Sequence, residues 1–521
     1  MFKHTFTKLR RGIVLGVAAL SFTACSDLLE KVPVTELVEE NGIQTEQDVI
    51  ALTNAGYDAM QWQVIQGANT HMYPVMWQDF RADNCISQWA TFWAFGLPLD
   101  DLSGIQPNNP NIAAMWRKWF TAIARANSAI YQIERFEGFE TAGLEERLIA
   151  EAQFVRGFAY FELVKHFGGV PLINEFISST DDEIFRSRAS VQEIYAQIES
   201  DLLAAAQVLP ASYGDVDKGR ATSGAAYTLL AKAHLYQGEY DEVRQYTETV
   251  INSGEYALEG DFASNWDLSN EYGIESIFEI GYADGFSNFY FEAPGGNTNQ
   301  GSSSYQMFGY IFANNGTFGN GVPRQGLIEM YDSTDTRLDA TFILPSTDYY
   351  ELGVQTCFCD NQDNYIGTDI YNFFWTNPEA LATKASMRKY DIPPTVGASL
   401  LNTGSSPLNE KVLRYADVLL MHAEAAAMGA GGDGQSSLDE VRARAGLESV
   451  ALTMDHVKME RRKELATEGW DRFTDLVRWG DAADALAFKN FQVGRDELLP
   501  IPQEEIDLVG ADILTQNPGY N

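Results

Sequence analysis

Three glutamates, Glu460, Glu464 and Glu468, stand four apart in ERRKELATEGWDRFTDLVRWG, residues 460–480. Carboxylates spaced this way share one face of a helix. They could exchange protons as acid and base, or they simply repel one another by about 0.2–0.5 kcal/mol per pair unless cations intervene. Cations do intervene. Arg461 lies three before Glu464, Arg472 four after Glu468 and Arg478 three after Asp475. The pattern predicts a salt-bridged structural helix pair presenting a solvated charged face, broken at Gly469.

Other catalytic constellations are sparse. General acid–base chemistry favours histidine, and the six histidines, at 4, 71, 166, 234, 422 and 456, form no HExxH and no close pair. His166, His234 and His422 fall in helical segments, where hydrogen-bonded core or surface roles are expected. Gly429–Gly434 spells G-x-G-x-x-G but follows a helix instead of a strand, so it is read as an interhelical turn and not a dinucleotide site. Asp360-Asn361-Gln362-Asp363-Asn364 offers oxygen ligands for a structural Ca²⁺ ion, without the glycine and terminal glutamate of an EF-hand loop. Apart from that ion no cofactor is expected. Cys357 and Cys359 lack C-x₂-C spacing, and no second Cys pair or nearby His completes a metal site. A disulfide from Cys85 to one of them and three buried thiols both remain open readings. No catalytic residue is assigned.

Binding chemistry is better represented. A sugar ring presents flat C–H faces ringed by hydroxyls, so a receptor needs aromatic platforms beside amides and carboxylates. Residues 72–96, MYPVMWQDFRADNCISQWATFWAFG, place Trp77, Trp89 and Trp93 close to Asp79, Arg81, Asp83 and Asn84. Further along, Tyr290, Phe291, Tyr305 and Trp375 stand among Gly, Asn297 and Gln300. The expected ligand-binding set is Trp77, Asp79, Arg81, Asn84, Trp89, Trp93, Tyr290, Phe291, Tyr305 and Trp375. Trp116 and Trp119 are the contrast, set in helical periodicity and expected to pack.

The elements that must hold these groups are mostly helices. Apolar residues recur at helical spacing over 45–65, 111–136 and 144–167, the last stopped by Gly168-Gly169-Val170-Pro171. Residues 190–208 end at Leu209-Pro210. Residues 222–237 and 240–252 form a hairpin joined by Gly238-Glu239, with Ala225, Ala226, Ala231 and Ala233 where helices would touch. Such hairpins recur at 412–428 with 437–444, and at 454–479, and read as tetratricopeptide-like units that bury their apolar faces by stacking. Between about 260 and 397 the pattern gives way to Gly, Asn, Ser, Thr and aromatics, an irregular ligand-facing insert. The fold class is therefore mainly α. A helical scaffold over 45–259 and 398–521 carries a loop-rich insert over 260–397.

At the N-terminus, four basic residues precede the apolar run Ile13–Phe22, which leads to Phe22-Thr23-Ala24-Cys25. This is expected to be a secretory signal over 1–24 with a bacterial lipobox, Cys25 being the lipidated first residue of the mature protein and 25–44 its linker. No later stretch has the roughly 18 apolar residues of a membrane span. Net charge is −37, and removing residues 1–24 takes away four basic groups and no acid, moving it to −41. Such a surface repels polyphosphate, so nucleic acid is not an expected partner.

Several stretches, in order, carry a family likeness: CSDLLEKVP (25–33), EAQFVRGFAYFELVKHFGGVPL (151–172), SVQEIYAQIESDLLAAAQVLP (190–210), GRATSGAAYTLLAKAHLYQGEY (219–240), LRYADVLLMHAEA (413–425), the glutamate ladder, and LPIPQEEI with TQNPGY at the end. The chain resembles the SusD-like (RagB/SusD) nutrient-binding outer-membrane lipoproteins. The resemblance implies tetratricopeptide-like helix pairs carrying a ligand-facing region. It implies capture of oligosaccharide or polysaccharide at the cell exterior, hand-off to a SusC-like TonB-dependent transporter, and a lipid anchor in the outer membrane. It also implies that the 460–480 stretch is scaffold. A RagB-type peptide receptor on the same scaffold is the alternative, with a glycoside hydrolase a more distant one.

Overall fold

A computed structural model describes residues 43–61, 76–87, 97–103, 105–177, 185–282, 321–344, 383, 385–389 and 408–520. Several of its helices begin where side chains can satisfy free amides. Thr45 and Asp48 cap α1 (Glu46–Met60) reciprocally, and Asn109 caps α2 (Pro110–Ile133), whose first residue is a proline. α3 (Leu144–Phe167) runs between Gly143 and Gly168. Ser190 and Glu193 repeat the reciprocal cap on α4 (Val191–Val208). α5 (Ser223–Gln237) is capped by Thr222 and stops at Gly238, left-handed at φ 75°, from which α6 (Tyr240–Ser253) returns.

Each helix packs on its successor from α1 through α6, and α6 then meets α7 (Tyr415–Ala427), so the stack passes directly from residue 253 to residue 415. α7 in turn contacts α8 (Gly434–Arg444) and α9 (Met454–Glu464). α10 (Arg472–Arg478) follows a break containing Gly469 at φ 80°, and α11 (Gln503–Val509) lies near the C-terminus. α3, α5 and α7 are buried on nearly every face, as helices in the interior of a stack must be. Phe154, Phe158 and Phe161 of α3 are almost wholly removed from solvent, each contributing about 1.5–3 kcal/mol of apolar burial. Trp116 and Trp119 pack as expected, Trp116 edge-on to Phe167 at 5.1 Å and Trp119 against Phe158 at 5.5 Å.

Where 412–428 was expected to be one helix, it opens as a strand. Glu410–Arg414 is β6, paired with Ser276–Ile280, and only then does α7 begin. The β-branched and long side chains of this run suit a ladder whose partner lies 130 residues away, which periodicity cannot reveal. Three two-stranded antiparallel ladders occur among the described residues. β1 (Cys85–Ser87) pairs with β3 (Gly321–Pro323), β2 (Ser276–Ile280) with β6, and β4 (Phe342–Ile343) with β5 (Ser386–Met387). No described helix is long and apolar enough to cross a membrane.

Candidate functional site

The glutamate ladder is structural, but it is not the solvated face its spacing suggested. Glu460, Glu464 and Glu468 are all buried: α9 turns the first two inward toward β6 and the short turn Arg337–Thr341, and Glu468 follows in the break after α9. Glu460 meets Arg337 at 2.6 Å and Arg442 at 2.7 Å. Glu464 meets Arg337 at 3.0 Å, Arg414 at 3.1 Å and Arg444. Glu468 takes Arg414 at 2.6 Å and Lys389 at 2.8 Å. Of the neighbours expected from spacing, Arg478 does pair with Asp475 at 2.8 Å. Arg461 instead joins Asp417, Asp471 and Asp475, and Arg472 turns to Asp83 at 2.8 Å. Buried charges persist only with several well-placed partners, and these come from far along the chain. Burial opposes ionisation of Glu464, yet Arg444, Arg414 and Arg337 override it and hold its carboxyl well below the usual range. A carboxylate held this firmly ionised suits ion pairing better than proton transfer near neutral pH.

Four of the expected ligand residues also lie inside. Trp77 is 2% exposed, with its ring 6.5 Å from His166 in an edge arrangement. Arg81 is fully buried, stacks 3.8 Å over Phe473 and donates to the Asp496 carbonyl at 2.7 Å. Asn84 donates to Asp79 at 2.9 Å and accepts from Arg462 at 3.0 Å. Asp79 and Asn84 line a cavity of about 20 Å³ beside Trp470 and Arg461, room for about one water and not for a sugar. The structure places these four in the interior, where residues 76–80 pack against α10 and Asp79, Arg81 and Asn84 bond to other parts of the protein. Trp89, Trp93, Tyr290, Phe291, Tyr305 and Trp375 lie outside the described residues.

What the described residues do define is where the aromatic-rich segments leave the scaffold. In the β1–β3 ladder Ser87 pairs with Gly321. The root of segment 88–96, with Trp89 and Trp93, is thus joined to the end of segment 283–320, with Tyr290, Phe291 and Tyr305. Asp100, just past the far end of 88–96, accepts from the Ser87 amide at 3.2 Å and pairs with Arg324 and Lys489, each at 3.3 Å. The Arg324 amide in turn donates to the Asn84 carbonyl at 2.8 Å. Burial drives the Lys489 ammonium down to about 8, against the pull of Asp100. At the other root of 283–320, Tyr282 donates to Asn409 at 2.8 Å and Gln61 to the Gly281 carbonyl at 2.7 Å. The β4–β5 ladder closes the ends around 345–382, which contains Trp375. β3 and β5 adjoin, so two of the three ladders meet. Sequence reasoning missed Asp100, Arg324 and Lys489; they are 224 and 389 residues from one another in their pairings, and no local signal marks them.

The remaining motifs resolve simply. Gly429, Gly431 and Gly432 adopt φ of 97°, 80° and 83° in the turn between α7 and α8, the interhelical turn expected. His166 is buried, and its imidazole is pushed well below its ordinary value by burial and by Lys165. His422 bonds Ser437 at 2.8 Å and His234 bonds Glu239 at 2.6 Å. Cys85 is a buried free thiol. Cys357, Cys359 and the 360–364 oxygen-rich run lie outside the described residues.

Comparison with known proteins agrees with this architecture. A family model described as starch-binding associating with outer membrane matches residues 29–235, and a SusD family model matches 269–520. The chain is 26% identical to SusD-like protein P2 of Formosa agariphila, over 98% of this chain and 99% of that one. Among solved structures, surface glycan-binding protein A from Bacteroides fluxus is similar at 27% identity and a TM-score of 0.75, covering 92% of this chain and all of that one. A laminarin binding SusD-like protein is similar at 26% identity and a TM-score of 0.76, with the same coverage. Two consecutive family matches over nearly the whole chain, on a stack of helical hairpins carrying short ladders, place it: this protein belongs to the SusD-like family.

Proposed function

We propose that this protein captures neutral oligosaccharides at the cell surface without altering them and passes them to a SusC-like TonB-dependent transporter. In this reading residues 1–24 are removed, Cys25 carries the lipid, and the chain faces outward from the outer membrane. The helical parts, 45–259 and 398–521, are the scaffold, and 260–397 carries the ligand-facing loops. The observation that carries the proposal is the Ser87–Gly321 pairing, which roots two aromatic-rich segments side by side. Aromatic faces gain by stacking on sugar C–H surfaces, and side-chain amides satisfy the hydroxyls. The printed functions of the similar glycan-binding proteins support the same chemistry.

A screen by affinity electrophoresis over a panel of polysaccharides, laminarin among them, tests the reading. The expected result is retardation by at least one neutral polymer. Trp89→Ala, Trp93→Ala or Trp375→Ala should reduce it by about tenfold or more, a loss of roughly 1–2 kcal/mol per stacked ring. Unchanged retention in all three would remove these residues from the site. Release of sugar from a retained polymer would overturn the non-catalytic reading.

A further inference from the structure

Outside the loop frame, three side chains capable of ligating a metal converge on the helical stack. Glu199 projects from α4, His234 from the last turn of α5, and Glu239 from the turn that opens α6. One ligand atom from each lies within 4.8 Å of the other two. The hairpin builds this arrangement. Gly238, left-handed at φ 75°, reverses the chain so tightly that Glu239, five residues after His234, comes back over the imidazole. Glu239 occupies the N-cap position of α6, where a carboxylate would ordinarily bond its own helix amides. It makes no such bond and reaches His234 Nδ1 at 2.6 Å instead.

The surrounding groups orient the set. Gln237 Nε2 donates to Glu199 Oε1 at 2.7 Å, leaving the other carboxylate oxygen for a ligand. Tyr246 stacks on the imidazole with 5.5 Å between centroids and 21° between planes, fixing its plane. Second-layer contacts of this kind hold metal-ligand side chains in place. Two carboxylates and a neutral imidazole carry a formal charge of −2, matching a dication. Imidazole selects zinc-like metals over Mg²⁺ or Ca²⁺. Three protein ligands leave the fourth tetrahedral position for solvent. A tetrahedral zinc site has ligand edges of about 3.3 Å; the His234–Glu239 pair opens to this from 2.6 Å, and the other edges, at most 4.8 Å, reach it by rotation of Glu199 and Glu239, which reach solvent. His234 stays put.

We propose that Glu199, His234 and Glu239 form a site for a zinc-like divalent transition metal that pins α4 to the α5–α6 hairpin. The test uses the full mature chain, free of any histidine tag and stripped with chelator, titrated calorimetrically with ZnCl₂. One saturable site is expected, with Mg²⁺ giving no comparable heat. Glu199→Gln, His234→Gln and Glu239→Gln should each weaken zinc binding by more than tenfold, and Gln237→Ala by about tenfold. Saturating zinc should raise the Tm of the parent by about 2 °C or more and leave that of Glu239→Gln unmoved. Glu199→Gln and Glu239→Gln alter partly exposed side chains, so their folded state, checked by circular dichroism, keeps the comparison interpretable. Zinc binding absent in the parent, or equally tight in all three ligand variants, would overturn the proposal.

Discussion

Asp83 illustrates how single charges work here. It sits between Arg472, at 2.8 and 2.9 Å, and Arg462, at 3.1 Å. Burial opposes its ionisation, but the two guanidiniums win and lower its pKa to about 2. The unfolded chain, with an aspartate near 3.9, therefore takes up a proton first as pH falls. The stabilisation from this group is complete above about pH 4 and is lost as pH drops through 2. Asp83→Asn should cost about 2 kcal/mol at pH 7, and its deficit against the parent should shrink between pH 4 and pH 2 in urea unfolding. A constant deficit would mean the pair contributes nothing through its charge. The spacing of the glutamate ladder rightly pointed to ion pairing. Among its partners, Arg442 and Arg444 lie 18 and 20 residues off and Arg337, Arg414 and Lys389 50 to 127, beyond the reach of helical spacing.

At the level of elements, helices were legible and strands were not. The segment 144–167 was read to the residue, because Gly143 and Gly168 bracket a stretch whose apolar residues recur at helical spacing. The strands are two to five residues long and pair across gaps of up to 238 residues, too short to leave a period of two. One turn is unusually demanding. After α3, Gly169 passes so close to the returning chain that a Cβ there would sit 2.2 Å from the Ala189 carbonyl oxygen. Backbone cannot give way as a flexible side chain can, and Val170 already accepts from the Ala189 amide at 2.8 Å. Gly169→Ala should cost about 3 kcal/mol, read as a lower Tm. Gly214→Ala, with nothing within 4 Å of the added carbon, should be neutral or slightly stabilising. Equal effects from the two would refute the steric explanation.

For the molecule as a whole, charge governs which ligands can approach. A formal charge of −37 on 521 residues sets up a repulsive field toward anionic polymers, which salt screens over about 8–10 Å at moderate ionic strength. Retention of a sulfated or uronate polysaccharide should therefore be weak at low salt and rise with added salt, while that of a neutral glycan should change little. Tight binding of an anionic polymer at low ionic strength would contradict this. The candidate site was only partly legible in sequence. Composition singled out aromatic-rich segments, but nothing in it marked Trp77 as a residue the fold absorbs.

The convergence of Glu275, Arg337, Arg414, Arg444 and Glu464 on one another has a temporal consequence. A chain made from its N-terminus can pair Arg337 with Asp335 and Arg414 with Glu275 early, but it completes neither set of contacts until Glu460, Glu464 and Glu468 have followed. The interior must stay unfinished until the end of the polypeptide arrives. A protein so wired completes its interior only once residues 460–468 are in place, and fragments lacking the last sixty residues should be cleared by proteases as unfolded.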